Sequence, residues 1–161
     1  MVGTYHMPCA FRYPQVMMIH CALSAQHIQR LAADLPYIFV GDFNIKPDSS
    51  MYDLLTSGEV KEGCVDNPVM RVGDNWKFGV KAMKSAYHSF FQKEPAFTNF
   101  AQTKDDEAFL GTLDYIFISP EWKVVDALKL PEKTEELEGG GPLPTKSEPS
   151  DHLLLAASLE C

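Results

Sequence analysis

The sequence predicts a layered α/β sandwich, and three observations carry that expectation. Short apolar runs of strand length recur along the 161 residues. One early segment spaces its apolar residues as a helix does. The clearest strands then come in pairs towards the C-terminus, where a doubly wound parallel sheet would alternate strand with helix.

In chain order, a first short strand ends at His6 within Gly3-Thr4-Tyr5-His6-Met7-Pro8. Val16-Met17-Met18-Ile19 is a second apolar run of strand length. From Ser24 to Leu35 the apolar residues Ala25, Ile28, Leu31, Ala32 and Leu35 fall on one helix face, and Pro36 ends that helix. Tyr37-Ile38-Phe39-Val40 reads as a strand buried on both faces. Asp48, Ser49 and Ser50 offer N-caps for a short helix over Met51–Thr56, with Gly58 as its stop. Glu59–Asn99 is irregular. Leu113–Ser119 and Trp122–Leu130 are strands. In the second, Trp122, Val124, Leu128 and Leu130 share one face, with Lys123 and Lys129 on the other. Pro131–Pro149, with Gly139–Gly141 inside it, is a long loop of the kind that serves as a flap or moves. Leu153–Leu159 is the last strand.

Composition narrows the function classes. Hydrophobic residues make up 45% of the chain and charged residues 22%, as in an ordinary globular domain. No apolar run approaches the ~20 residues of a membrane helix, and no secretion signal opens the chain. Four cysteines without paired spacing point to reduced thiols and a cytoplasmic setting. The net charge of −8 argues against a broad polynucleotide footprint, which needs basic residues to neutralise phosphates. A strand end or a small nucleotide stays open as a partner.

Four places carry candidate chemistry. Gly41-Asp42-Phe43-Asn44 sets an acid and an amide at the rim of a sheet, although the same residues also suit a plain turn. Asp114 is a carboxylate in the apolar strand Leu113-Asp114-Tyr115-Ile116-Phe117-Ile118. There it needs a partner, unless that strand is an exposed edge. Ser150-Asp151-His152 sends an acid and an imidazole to different sides of a strand entrance, or is simply a polar loop end. His6 alone reads as structural. His20, His27 and His88 match no motif.

Together and in this order, the four places resemble the C-terminal motifs of the exonuclease–endonuclease–phosphatase superfamily. The resemblance runs from Thr4 to Leu159. Ser85-Ala86-Tyr87, Phe97-Thr98-Asn99, Phe109–Phe117, Pro142-Leu143-Pro144 and Glu148–His152 narrow it to the branch of deadenylases, nocturnin, angel proteins and 2′,5′-phosphodiesterases. It implies a DNase I-like sandwich and magnesium-dependent hydrolysis of nucleotide phosphoesters, with manganese as the alternative ion. By resemblance, Asp42 orients or deprotonates the attacking water and Asn44 is its metal-proximal companion. Asp151 is a metal ligand, as Asp42 and Asn44 are expected to be, and His152 lies by the scissile phosphate. Asp114 orients His152, and His6 stabilises charge on phosphoryl oxygens. Asn99 and Phe109 read or stack on a base.

The resemblance also implies a metal-binding glutamate and a phosphate-binding asparagine upstream of His6. The first glutamate here is Glu59. Residues 1–161 therefore read as the C-terminal portion of one such domain, with an apolar sheet face left to an N-terminal segment or to self-association. Removal of adenylates from RNA 3′ ends is the first expectation for the complete domain. A nucleotide 2′-phosphatase or 2′,5′-phosphodiesterase is the second, and a non-catalytic binding module the third.

Overall fold

A computed structural model describes residues 1–68, 77–103 and 107–161, so part of the irregular stretch predicted over Glu59–Asn99 lies outside the described residues. Helix α1 spans Pro14–Ala32, with proline in its first turn, where the missing N–H has no helical partner to lose. It buries Met17, Met18, Cys21, Ala22, Ala25, Ile28 and Ala32, a stripe with helical spacing. The strand expected at Val16–Ile19 is the opening of this helix. Four apolar residues in a row fit either period, and only the continuation through Cys21, Ala22 and Ala25 decides between them. The helix also stops before Pro36, at an Ala33 cap with φ 53°.

Four strands form the central sheet: β1 (Val2–Thr4), β2 (Ile38–Asp42), β6 (Asp114–Ile118) and β3 (Lys84–Ser85), in the order β1-β2-β6-β3. β1 runs parallel to β2, and β6 runs antiparallel to both β2 and β3. One face packs on α1 and on α2 (Ser50–Ser57), burying Phe39, Phe43, Tyr115 and Phe117 to 3% exposure or less. Their rings interlock, with Phe43 edge-on to Phe39 at 4.9 Å and to Phe117 at 5.1 Å. α2 has the expected ends: the Ser49 side chain accepts from Tyr52 N, and Gly58 closes it in a left-handed cap at φ 79°.

The other face differs from the expectation that Tyr37–Val40 is buried on both sides. Ile38, Val40 and Ile116 are only half-buried there, and Val2 is 70% exposed. The sheet is thus covered throughout on one face, while on the other this chain seals Ile118 and leaves Ile38, Val40 and Ile116 half-covered.

The hairpin β4 (Asn99–Ala101) and β5 (Phe109–Gly111) forms a second small sheet. β7 (Lys123–Ala127) and β8 (Ala157–Glu160) form a third, with an irregularity between Val124 and Asp126. Both strands are shorter than the runs Trp122–Leu130 and Leu153–Leu159, and the irregularity breaks the single apolar face expected of the first. Helix α3 (Ala86–Phe91), inside the stretch read as irregular, staples this third sheet to the core. The Tyr87 hydroxyl donates to Leu128 O at 2.9 Å and accepts from Ala156 N at 3.3 Å. The long loop is anchored too. Leu137 and Leu143 join Phe97, Phe100 and Leu153 in a satellite core, and Leu143 N donates to Phe100 O at 2.8 Å. No described helix is long and apolar enough to cross a membrane.

Candidate active site

Register brings the candidate residues together. Asp42 lies directly opposite Asp114 at the ends of β2 and β6, so both side chains leave the sheet on the same face. The pairing of β1 continues beyond Thr4 through Tyr5 N to Val40 O at 3.0 Å and Met7 N to Asp42 O at 2.8 Å. That sets His6 level with Asp42, and its Nε2 lies 3.4 Å from Asp42 Oδ2. His6, Asp42 and Asp114 form one row across three neighbouring strands. This row sits on the half-covered face, in line with Val40 and Ile116.

Gly41 makes the approach of β1 possible. Its φ is 146°, and a Cβ there would run into the Tyr5 carbonyl oxygen. Two residues on, Asn44 takes φ 51°, a left-handed conformation that asparagine tolerates better than most residues. This turn folds Asn44 back: its N–H donates to Asp42 Oδ1 at 2.9 Å, and its Nδ2 donates to Met7 O at 2.7 Å and to Asp42 Oδ2 at 3.3 Å. Asn44 is only 5% exposed, and it clamps both Asp42 and the strand that carries His6. The Tyr115 hydroxyl holds the following backbone by donating to Ile45 O at 2.9 Å.

His152 closes the row from above. Its Nδ1–H donates to Asp114 Oδ2 at 2.8 Å, which leaves Nε2 facing Asp42 Oδ2 at 3.9 Å. Burial, the largest single influence, pulls the imidazole pKa down. The hydrogen bond and charge of Asp114, with Asp42 and Asp151 behind them, outweigh it and hold His152 above its usual range. Asp42 is pushed up, chiefly by burial and further by the charge of Asp114, against the Asn44 hydrogen bond and the two histidines.

Asp114 has the partners its burial demands. Besides His152, it accepts from the Thr98 hydroxyl at 2.6 Å, and Thr98 Oγ1 accepts in turn from Leu113 N and Asp114 N at 2.9 and 3.0 Å. Thr98 is fully buried. It organises the site, and reading the sequence gave it no role. Its one signal in the sequence is its place beside Asn99 in Phe97-Thr98-Asn99.

Asp151 and Asn99 lie in the adjoining layer. Asn99 Nδ2 donates to Asp151 O at 3.1 Å and reaches its Oδ2 at 3.4 Å, while Phe100 N and Leu153 N tie the same segment to β4. With 4% exposure, Asn99 presents little surface and instead sets the position of Asp151. Phe109 stands at the start of β5, half-buried, with the Lys46 ammonium 5.8 Å from its ring centroid.

Asp42, Asp114 and His152 each offer a ligand atom within 4.8 Å of the others, the metal-capable group found among the described residues. The donor chemistry fits a hard divalent cation: two facing carboxylates, one of them with its pKa raised by burial and by the charge of the other, would be relieved by a positive charge. Asp114 takes both of its short hydrogen bonds on Oδ2, whereas Asp42 accepts from Asn44 on each oxygen.

A family model described as endonuclease/exonuclease/phosphatase matches residues 6–152, which span every candidate site residue. The chain belongs to this family. Within it, the chain is 34% identical over 154 residues to 2′,5′-phosphodiesterase 12 of Rattus norvegicus, covering 90% of this chain and 23% of that protein. It is also 34% identical over 128 residues to the CCR4-Not complex 3′-5′-exoribonuclease subunit Ccr4 of Phaeosphaeria nodorum, covering 78% of this chain and 20% of that one. Among solved structures, ANGEL2, a 2′,3′-cyclic phosphatase in complex with adenosine-2′,3′-vanadate, superposes with a TM-score of 0.71 at 20% identity. That match covers 97% of this chain and 55% of ANGEL2. The human Nocturnin catalytic domain gives 0.61 at 22% identity, over 98% of this chain and 45% of that one. These likenesses confirm the expected sandwich fold of the family. The chain spans about a quarter of the curated relatives' length and about half of the solved domains.

Proposed function

We propose that this chain supplies the acid-and-histidine end of a metal-dependent hydrolase of nucleotide phosphoesters, acting 3′ to 5′ on poly(A) RNA. The observation that carries the reading is the row of His6, Asp42 and Asp114 across three strands, closed by His152. Asp42, its pKa raised towards the useful range for a base, orients and deprotonates the attacking water. Asn44 holds that carboxylate in place. Asp114 favours the protonated form of His152 and aims it, so that its Nε2–H meets a phosphoryl oxygen where negative charge grows. His6, on an exposed side chain, reaches the phosphoryl group from the β1 side. A bound magnesium or manganese ion would supply Lewis-acid stabilisation of the phosphoryl charge, and we assign Asp42, Asn44 and Asp151 as residues that hold it.

Residues 1–161 form the C-terminal portion of one such domain in this reading. The half-covered face that carries the row is where a second layer packs, and that layer borders the site. Without it, the same apolar face drives copies of the chain together. The four cysteines, all free, suit the cytoplasm.

A second reading, a 2′,5′-phosphodiesterase or nucleotide 2′-phosphatase, is favoured by the likeness to the Rattus norvegicus protein and by the net charge of −8. Offering the full-length protein oligo(A), 2′,5′-linked oligoadenylate and NADP with magnesium separates the two. AMP from oligo(A) is the expected product. Phosphate from NADP without AMP from oligo(A) establishes the second reading. No hydrolysis of any substrate leaves a binding module.

A further inference from the structure

A second apolar surface lies outside the acid row, where the end of β7 meets the long loop and the segment after His152. There Leu128, Leu130 and Leu154 floor an open groove of about 560 Å³. Leu154 is 75% exposed and Leu128 45%, although Leu137 and Leu153 beside them are sealed in the satellite core. The loop wall of the groove is pinned by its own hydrogen bonds. The Glu136 carboxylate accepts from Lys133 N at 3.1 Å and closes the turn Thr134–Glu136, and Glu148 N donates to Thr145 Oγ1 at 3.1 Å.

The rim decides what such a floor can take. Glu136, Glu138 and Glu148 line the groove against one cation, Lys129. Glu138 and Glu148 form no ion pair among the described residues. Carboxylates around an apolar floor repel phosphates, which disfavours an RNA strand and an anionic membrane surface alike. A second copy docked here about a two-fold axis would set these glutamates against their own counterparts. Apolar side chains flanked by cations satisfy floor and rim together.

We propose that this groove docks a segment of a partner protein in which leucine-like side chains are flanked by lysine or arginine. The apolar side chains cover Leu128 and Leu154 and supply most of the affinity. The cations meet Glu138 and Glu148 at the rim, where they speed encounter and select the partner. None of these residues belongs to the acid row, so the groove stands whichever nucleotide the site takes. Glu148 precedes Asp151 and Leu153 follows His152, so a docked segment lies against the stretch of chain that carries both.

The test selects a phage-displayed library of random dodecapeptides on the full-length protein. The enriched peptides, labelled with fluorescein, are then titrated against the wild type, Leu154→Ser, Glu138→Lys and Leu35→Ser, the last at an exposed leucine outside the groove. Enriched peptides should carry leucine or similar residues beside lysine or arginine. Leu154→Ser should bind them roughly tenfold more weakly, as loss of a contact at the centre of an interface does. Glu138→Lys should also weaken binding roughly tenfold at low salt, and the fall of affinity with rising salt should become shallower. Leu35→Ser should bind as the wild type does, and all three variants should keep its melting temperature. Enriched peptides without basic residues, no enrichment, or wild-type affinity in either groove variant would overturn the docking site. A melting temperature lowered by Leu154→Ser would mean that another segment of the same chain fills the groove, and a dimer lost in that variant would assign it to a second copy. Either result would overturn the proposal too.

Discussion

The two faces of the central sheet are made by alternate residues of the same strands, yet they have different fates. On one, Phe39, Phe43, Tyr115 and Phe117 are sealed beneath α1 and α2. On the other, Ile38, Val40 and Ile116 are equally apolar but only half-buried, and they run straight into Asp42 and Asp114. The first face holds this chain together. The second is apolar enough to expect a cover and carries the chemistry at its end, so whatever covers it also borders the site. The packed core and the acid row are thereby divided between opposite sides of one sheet.

The largest expected effect lies at the row itself. In the full-length protein, Asp42→Ala should lower turnover by about a thousandfold, because the proposed role asks its carboxylate to orient the water and help to hold the metal. Melting should change little beside that loss. Wild-type rates in this variant would remove the row from catalysis.

Next come paired truncations that compare the faces directly. Phe117→Ala should cost about 3–5 kcal/mol whether the chain is alone or covered, because its pocket is built by this chain. Ile116→Ala should cost less than about 1 kcal/mol in the chain alone, and about 2–5 kcal/mol once a second layer packs on it. Denaturant melts of both variants in both contexts check this. Equal costs for Ile116 in the two contexts would mean that nothing covers that face.

Asp114→Asn should keep the fold and slow turnover by about 10–100-fold, as loss of an orienting carboxylate does. Asp114→Ala should also lose about 1–3 kcal/mol, since Thr98 and His152 would be left without an acceptor. An Asn variant with unchanged kcat would mean that Asp114 does not hold His152 for catalysis.

The smallest effect concerns pH. Asp42 and His152 both have raised folded-state pKa values, so the stability linked to each is full at low pH and is lost as pH rises through the folded value. The metal-free chain should therefore melt higher near pH 6 than near pH 8, by less than about 1 kcal/mol. His152→Gln should remove part of that difference. A chain that becomes more stable as pH rises from 6 to 8 would contradict the raised values.

What was legible in the sequence follows the same division. The strand ending at Asp42, the strand through Asp114 and the short helix with its Ser49 and Gly58 caps were all readable, because each has a local signature. Val16–Ile19 reads as a strand by itself, because so short an apolar run carries no period. α3 has no such signature, because its six residues bury only Ala86 and Tyr87, too little for a pattern. At the site, charged residues beside apolar runs stood out by themselves. Thr98 and the clamp of Asn44 on Met7 did not, because their roles exist only once β1, β2 and β4 are brought side by side.

The most direct test of the divided sheet is light scattering on the 161-residue chain, with hydrolysis of oligo(A) in magnesium followed in the same samples. The half-covered face predicts dimers or larger assemblies, and turnover far below that of the full-length protein. A monodisperse monomer that hydrolyses oligo(A) as fast as the full-length protein would show that this face needs no cover and that the row is complete without one.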